Sequence, residues 1–365
     1  MKNNILIVTG GTGGHVIPAQ NFFNYIKNES NNVFLLTDSR GRKYIKDINI
    51  NRILQIKSSH LTGNYYLKFI AIIKLLIGFI QSVVIFIKVR PKIIVSFGSY
   101  ASLTPLLCFI IFKFFFKTKL YIHEQNSLIG QTNRVFSKLS NKIFVNFNKE
   151  YPSINKYKKK IFIVGLPQKK IENNLINDKK KNDINFNFLV FAGSQGSFDI
   201  LIILTKIIEE LKKISNFKKI NFIVQCPLQK QKEIKNLLIQ NKYDFEVDSF
   251  FDNFDNILNK TDIALCRSGA GTINDLINFK IPAIIYPLPS AKDNHQYENA
   301  RILSDIDCAI IIDKNKIDFD KIILFIRKVI NDKNFNKSLL NKYSKIKRQN
   351  TNELMWVIIQ NDQKK

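Results

Sequence analysis

Short apolar runs that end in small-residue loops, each followed by a stretch with helical spacing, recur along this chain. Ile5 to Thr9 is the first such run, and Gly10-Gly11-Thr12-Gly13-Gly14-His15 follows it before a helix predicted from about Pro18 to Lys27. Further strands are predicted at Val33 to Thr37, Ile93 to Ser96, Leu120 to Ile122 and Lys142 to Val145. Strands alternating with helical connections predict a parallel sheet. The pattern then restarts. Phe186 to Phe191 leads into Gly193-Ser194-Gln195-Gly196-Ser197 and a helical stretch to about Lys213, with further strands at Asn221 to Gln225, Ile263 to Cys266 and Ala283 to Tyr286. Two strand-glycine-helix openings half a chain apart imply two similar α/β domains.

The expected division is 1–164, 165–345 and a C-terminal helix within 346–365 that is a candidate for packing back on the first domain. The linker falls near Gly165-Leu166-Pro167, and the Lys/Asn-rich stretch from Lys169 to Asp183 reads as surface loop. In the segment Tyr65 to Lys88 the polar residues Lys74, Gln81 and Lys88 recur every seven positions. On a helix these make one narrow polar stripe in an otherwise apolar circumference, so the expectation is a helix mostly buried in a core. Its longest uncharged run, Leu75 to Ile87, is short for a membrane span. The aromatic stretch Phe109 to Lys117, with lysines interleaved, is of the kind that lies on a membrane without crossing it.

Composition changes the picture little. The 365 residues suffice for two domains with their own cores. With 45% apolar and 23% charged residues, disorder and collagen-like repetition are excluded. A net charge of +27 would ordinarily point to nucleic acid or an anionic membrane. Only nine of the 56 basic residues are arginine, however, and the rest are lysine beside abundant Asn, Ile and Phe. Those residues share A/T-rich codons, so genome bias explains the excess at least as well. Four cysteines lie far apart with no CxxC spacing, which argues against a zinc site and a disulfide framework and fits a reducing cytoplasm. The start, MKNNILIVTGG, lacks the features of a signal peptide.

The first glycine loop has neither the Lys-Ser/Thr ending of a P-loop nor the GxGxxG spacing of a dinucleotide site, since Val16 stands where the third glycine belongs. It still lets a ligand approach backbone amides at a helix N-terminus that favours anionic groups. His15, at the same turn, is a candidate general base or a packing residue. His123-Glu124-Gln125-Asn126 follows a strand and therefore emerges at the sheet edge where α/β folds bind ligands, although a solvated loop would read the same way. In the second half, Cys266-Arg267-Ser268-Gly269-Ala270-Gly271-Thr272 again follows a strand, with Asp275 one turn into the next helix. The small residues suit a nucleotide diphosphate and the carboxylate suits ribose hydroxyls. Asp318-Phe319-Asp320 looks like a metal-binding DxD but lies in a Lys-rich stretch entering a late helix, away from both glycine loops, and no metal is expected.

Taken together, GGTGGH at Gly10 to His15, SFGSYAS at Ser96 to Ser102, HEQN at His123 to Asn126, GSQG at Gly193 to Gly196, CRSGA at Cys266 to Ala270 and HQYENA at His295 to Ala300 resemble the MurG family over almost the whole chain. The resemblance implies a two-domain GT-B glycosyltransferase fold. It also implies transfer of N-acetylglucosamine from UDP-N-acetylglucosamine to undecaprenyl-pyrophosphoryl-N-acetylmuramoyl-pentapeptide, without a cofactor and without nucleic acid as partner. By position, it implies donor contacts for Thr12, Gly13, Gly14, Asn126, Ser194, the segment Ala270, Gly271, Thr272, Ile273, Asn274 and Asp275, and Gln296. The backbone of Phe251 would read the uracil. The regions Tyr65 to Lys88 and Phe109 to Lys117 match the family's membrane-association surface, which would place the protein at the cytoplasmic face of the cell membrane against anionic lipid.

Three departures touch the donor side. The family's Gly-Asn-Pro-x-Arg reads Gly165-Leu166-Pro167-Gln168-Lys169, so a bidentate arginine becomes a point charge at Lys169. Gly271 and Asp275 replace a leucine and a glutamate, and the His-Gln-x-Gly stretch reads Val224-Gln225-Cys226-Pro227. The expected mechanism is one inverting displacement with His15 as base and Glu124 as its rival or orienting partner. Two other readings compete with it: a GT-B enzyme acting on another lipid, and a basic non-catalytic protein binding membrane or nucleic acid.

Overall fold

The computed structural model describes residues 4–29, 32–169, 186–192, 198–213, 219–346 and 349–364. The chain forms two compact units, Met1–Lys169 with Arg348–Lys365, and Lys170–Lys347. The first unit thus extends to Lys169, five residues beyond the expected boundary.

Among the described residues the first unit holds seven parallel strands in the order β3-β2-β1-β4-β5-β6-β7. They are β1 (Asn4–Val8), β2 (Asn32–Thr37), β3 (Ile53–Gln55), β4 (Ile93–Ser96), β5 (Lys119–Glu124), β6 (Lys142–Val145) and β7 (Ile161–Ile163). Its helices are α1 (Gly13–Ile26), α2 (Ser39–Arg42), α3 (Tyr65–Val89), α4 (Leu103–Phe116) and α5 (Gln131–Phe136). β1 is apolar from Ile5 to Val8 because helices cover both faces. Ile5 and Ile7 pack with Val16 and Phe22, while Leu6 and Val8 pack on the other face with Phe86, Leu106 and Phe109. α1 begins at Gly13, a turn before the expected Pro18, so His15 lies in its first turn and donates its N–H to Thr12 O at 3.1 Å. β5 runs on to Glu124, so His123 and Glu124 end a strand and do not open a solvated loop.

Among the described residues the second unit repeats the design with six parallel strands ordered β10-β9-β8-β11-β12-β13. They are β8 (Phe186–Phe191), β9 (Ile220–Gln225), β10 (Asp244–Asp248), β11 (Ile263–Cys266), β12 (Ala283–Ile285) and β13 (Ala309–Ile311). Its helices are α6 (Phe198–Lys212), α7 (Leu228–Gln240), α8 (Phe254–Lys260), α9 (Ala270–Phe279), α10 (His295–Ser304), α11 (Phe319–Asn331) and α12 (Lys333–Ser344). In both sheets the order of connection reverses beside the first strand, between β1 and β4 and between β8 and β11, and open α/β sheets bind ligands at such a switch point.

The last helix, α13 (Thr351–Gln363), belongs to the first unit. Met355, Trp356 and Ile359 complete the core on the α1 side of the sheet. Tyr121 donates its hydroxyl to Asp362 Oδ2 at 2.8 Å and fastens the helix's far end.

The expectation that Tyr65 to Lys88 is mostly buried is overturned. Only Ala71, Gly78, Ser82, Phe86 and Val89 of α3 are buried, whereas Phe69, Leu76 and Ile80 are about 60% exposed. Three of these five are small residues. A Cβ at Gly78 would lie 2.0 Å from Lys57 O, and Ser82 donates to Gly78 O.

Candidate active site

Three segments from the carboxyl ends of β1, β4 and β5 meet at the switch point of the first sheet. Gly10 leaves β1 so close to Ala101 that a Cβ on it would lie 2.4 Å from the Ala101 Cβ, which restricts the position to glycine. Gly11 follows at φ +78°, a left-handed conformation that favours glycine. Ser99, beyond β4, takes φ 79°, ψ 162° with an ordinary side chain. That region is essentially reserved for glycine, and residues held in it cluster at functional sites.

His15 Nδ1 lies 2.9 Å from Phe97 O and 2.9 Å from Gln125 Oε1. Gln125 donates its side-chain amide to Phe97 O at 3.0 Å, and that amide also lies 3.3 Å from His123 Nδ1. His123 Nε2 in turn lies 2.9 Å from Gly165 O. His123 is fully buried, and that desolvation pushes its pKa down to about 4, with the nearby His15 lowering it further against the Gly165 hydrogen bond, which acts to raise it. His15 itself is only half-buried, and its turn carries Thr12 and Gly14 exposed, whereas Gly13 is buried.

Glu124 is 1% exposed. Its Oε1 accepts from the Asn126 main-chain N–H at 3.0 Å and from the Asn126 side chain at 3.3 Å, while Oε2 accepts from the Gly130 N–H at 2.8 Å and Asn133 Nδ2 at 2.9 Å. A buried carboxylate surrounded by four donors holds its loop and the start of α5. Asn126 is correspondingly drawn toward Glu124.

Asp38, at the end of β2, was not singled out in the sequence, yet it holds the glycine loop. Its Oδ1 accepts from the N–H of Gly11 and of Gly41, both at 2.9 Å, and Arg40 pairs with Oδ2 at 2.8 Å. Burial raises its pKa, but the two amides and Arg40 outweigh that and hold it below the usual carboxylate range. The rule that drew attention to His123, a polar residue just past an apolar strand, applies equally to Asp38 after Val33 to Thr37.

In the second unit, Ser194 and the GSQG segment lie outside the described residues. Arg267 is buried after β11 and staples neighbouring loops: Nη1 donates to Tyr286 O at 3.1 Å and Pro287 O at 3.2 Å, and Nη2 pairs with Asp199 at 3.1 Å. Of the expected donor segment, Ile273 points into the core and Asn274 bonds back to Ala270 O at 2.8 Å. The Ile273 N–H is likewise taken, donating to Gly269 O at 3.0 Å. Thr272 and Asp275 are half-buried, and a Cβ at Gly271 would have nothing within 4 Å, so this turn is open. Gln296 accepts from the Leu288 N–H at 2.9 Å, and among the described residues no backbone partner engages the main chain of Phe251. Lys169 closes the first unit with its side chain exposed, while Leu166 is buried. Asp318 caps α11 through the Lys321 N–H, so that half of the DxD-like pair serves a helix terminus.

The glycosyltransferase family 28 N-terminal domain matches residues 5–145, and the family's C-terminal domain matches residues 187–354. A Rickettsia bellii protein named UDP-N-acetylglucosamine--N-acetylmuramyl-(pentapeptide) pyrophosphoryl-undecaprenol N-acetylglucosamine transferase is 30% identical over 93% of this chain and 95% of its own length. A protein of the same name from Rickettsia canadensis is 32% identical over 87% of this chain and 88% of its own length. The chain belongs to glycosyltransferase family 28 and, within it, to the MurG family. The crystal structure of Acinetobacter baumannii MurG superposes with a TM-score of 0.78 at 22% identity, covering 99% of this chain and all of that one. The two parallel-sheet units are therefore a GT-B glycosyltransferase fold.

Proposed function

We propose that this protein is an inverting N-acetylglucosaminyltransferase that moves N-acetylglucosamine from UDP-N-acetylglucosamine to the muramoyl 4-hydroxyl of undecaprenyl-pyrophosphoryl-N-acetylmuramoyl-pentapeptide, a step of peptidoglycan synthesis. The observation that carries the reading is the meeting of two motifs 110 residues apart, GGTGGH and HEQN, through the contact between His15 and Gln125. His15 presents its free ring edge beside an open glycine turn. The 4-hydroxyl oxygen attacks the anomeric carbon of the α-linked donor, the bond from that carbon to the diphosphate oxygen breaks, and a β-1,4 bond and UDP result. The hydroxyl proton passes to His15 Nε2, while Glu124 acts by holding the loop that carries Gln125. On the donor side the turn from Ala270 to Asp275, the helix N-terminus behind it, Gln296, Lys169 and the open main chain of Phe251 are the groups assigned to UDP-N-acetylglucosamine.

The exposed apolar face of α3 and α4 is the surface assigned to the cytoplasmic face of the cell membrane. Leu76, Ile80, Phe114 and Phe115 lie on it, with Lys74, Lys88 and Lys117 exposed nearby. α3 connects β3 to β4 of one sheet and packs on it through Phe79, Val83 and Phe86, which suits lying on a bilayer. The deciding assay follows labelled N-acetylglucosamine from the UDP donor to a short-chain muramoyl-pyrophosphoryl lipid in the presence of chelator. Product with released UDP is expected. Donor bound without transfer would point to another acceptor, and no donor binding would mean that Lys169, Gly271 and Asp275 mark a decayed site.

A further inference from the structure

We propose that Gln125 and His123 are positioning residues that fix which ring nitrogen of His15 carries the proton, through a relay anchored on the main-chain carbonyl of Gly165. The proposal rests on His15 being the proton acceptor in the transfer above. Each link follows from what the next atom is able to do. A carbonyl only accepts, so His123 Nε2, 2.9 Å from Gly165 O, carries a hydrogen and donates it. A neutral His123 then has a bare Nδ1, and burial keeps it neutral. Gln125 faces that bare nitrogen and Phe97 O with one end of its side chain, at 3.3 Å and 3.0 Å. Both are acceptors, so this end is the NH2 group and the other end, toward His15, is the carbonyl oxygen. His15 Nδ1 therefore meets two oxygen acceptors, Phe97 O and Gln125 Oε1, and carries the hydrogen. In the neutral ring this leaves His15 Nε2 with its lone pair. The two histidines are then held in opposite tautomers, the one pairing of neutral tautomers that satisfies every contact in the set.

The anchor is itself fixed. Gly165 sits at φ +90°, with Thr351 Oγ1 2.6 Å from where a Cβ would stand. The carbonyls of Val164, Pro167 and Gln168 accept from Thr351 at 2.7 Å, Asn21 at 3.0 Å and Asn352 at 2.9 Å. The segment 164–168, expected from the sequence to be linker, is thus bound along its length to the first unit, and one of its carbonyls sets the state of the base. The His123 ring is also stacked on Phe97 at 5.1 Å, which holds the imidazole plane.

Long-range 1H–15N correlation spectra of the full chain read the tautomers directly, and with four histidines the ring signals are few. The expected result is a protonated Nδ1 and bare Nε2 for His15, and the reverse for His123. Both rings protonated at Nε2 would overturn the relay. His123→Phe keeps the stacked ring and removes both nitrogens, and Gln125→Met removes the acceptor at His15. In each, the His15 nitrogen shifts are expected to move toward a tautomer mixture, and kcat is expected to fall about tenfold with the donor KM unchanged, a modest share of the contribution of general-base catalysis. A folded variant with unchanged His15 shifts, or with kcat and KM changed together, would also overturn it. His15→Ala tests the underlying reading separately: full turnover there removes His15 as base, while the tautomer pattern stands or falls on the spectra alone.

Discussion

His123 couples protonation to stability, and the sign is fixed by its burial. Its pKa in the folded protein is about 4, below the ordinary 6.5, so between those values the unfolded chain binds more protons than the folded one. Stability is therefore full above about pH 6.5 and falls as pH drops toward 4, by up to about 3 kcal/mol from this residue alone. Urea unfolding across that window should show the slope in the native protein and lose most of it in His123→Phe; an equal slope in both would remove His123 as the cause. Asp38 adds to the slope only below that window, because its contribution is full above the ordinary carboxylate pKa and is lost as pH falls from there through its depressed value. His15 and Glu124 separate at the same scale. His15 is half-buried, so His15→Ala should cut kcat by about 10²- to 10⁴-fold and leave the melting temperature nearly unchanged. Glu124→Gln puts an amide hydrogen among the donors that Oε1 and Oε2 now accept, at a site 1% exposed, and should cost about 1–3 kcal/mol of stability. Calorimetry of the two variants checks the contrast, and an unshifted melting temperature in Glu124→Gln would return Glu124 to the list of candidate bases.

α3 argues at the scale of an element. The 25-residue helix, with mean hydropathy 2.6 over an 18-residue stretch, exposes most of its circumference; it packs on the sheet through Phe79, Val83 and Phe86 and meets Lys57 and Thr104 through Gly78 and Ser82. Leu76→Glu with Ile80→Glu should abolish sedimentation with anionic phospholipid vesicles while changing stability by about 0.5 kcal/mol or less, since neither side chain supports the core. Retained sedimentation would assign the membrane contact elsewhere. Sequence spacing showed that α3 is a helix but not which side is covered, because an apolar face against lipid and one against protein have the same periodicity. Strands were legible where the core surrounds them: β4, β6, β8 and β11 have the predicted bounds. The unpredicted β3, β7, β10 and β13 are the four sheet edges, three to five residues long and half-exposed, with too little apolar pattern to register. The site shows the same division. The glycine loop and HEQN stood out as motifs, whereas Asp38 is a single polar residue past a strand, and its role lies in a contact with Gly11 that spans 27 residues.

At the scale of the molecule, the chain leaves the first unit at Lys169 and returns to it with α13, so the first unit is built from both ends of the sequence. The only tryptophan of the chain, Trp356, is on that returning helix and 7% exposed in the first unit's core. Its emission reports the unfolding of the first unit, whereas far-ultraviolet circular dichroism reports helices of both. UDP, bound by the second unit in the reading above, stabilises what it binds by about 2.7 kcal/mol at a hundredfold excess over its Kd. Urea titrations with and without UDP should then show part of the dichroism transition moving to higher denaturant while the Trp356 midpoint stays in place. If the Trp356 midpoint moves by the same amount, the two units unfold as one cooperative body. If it moves alone, UDP is held by the first unit and the assignment of the donor to the turn from Ala270 to Asp275 fails.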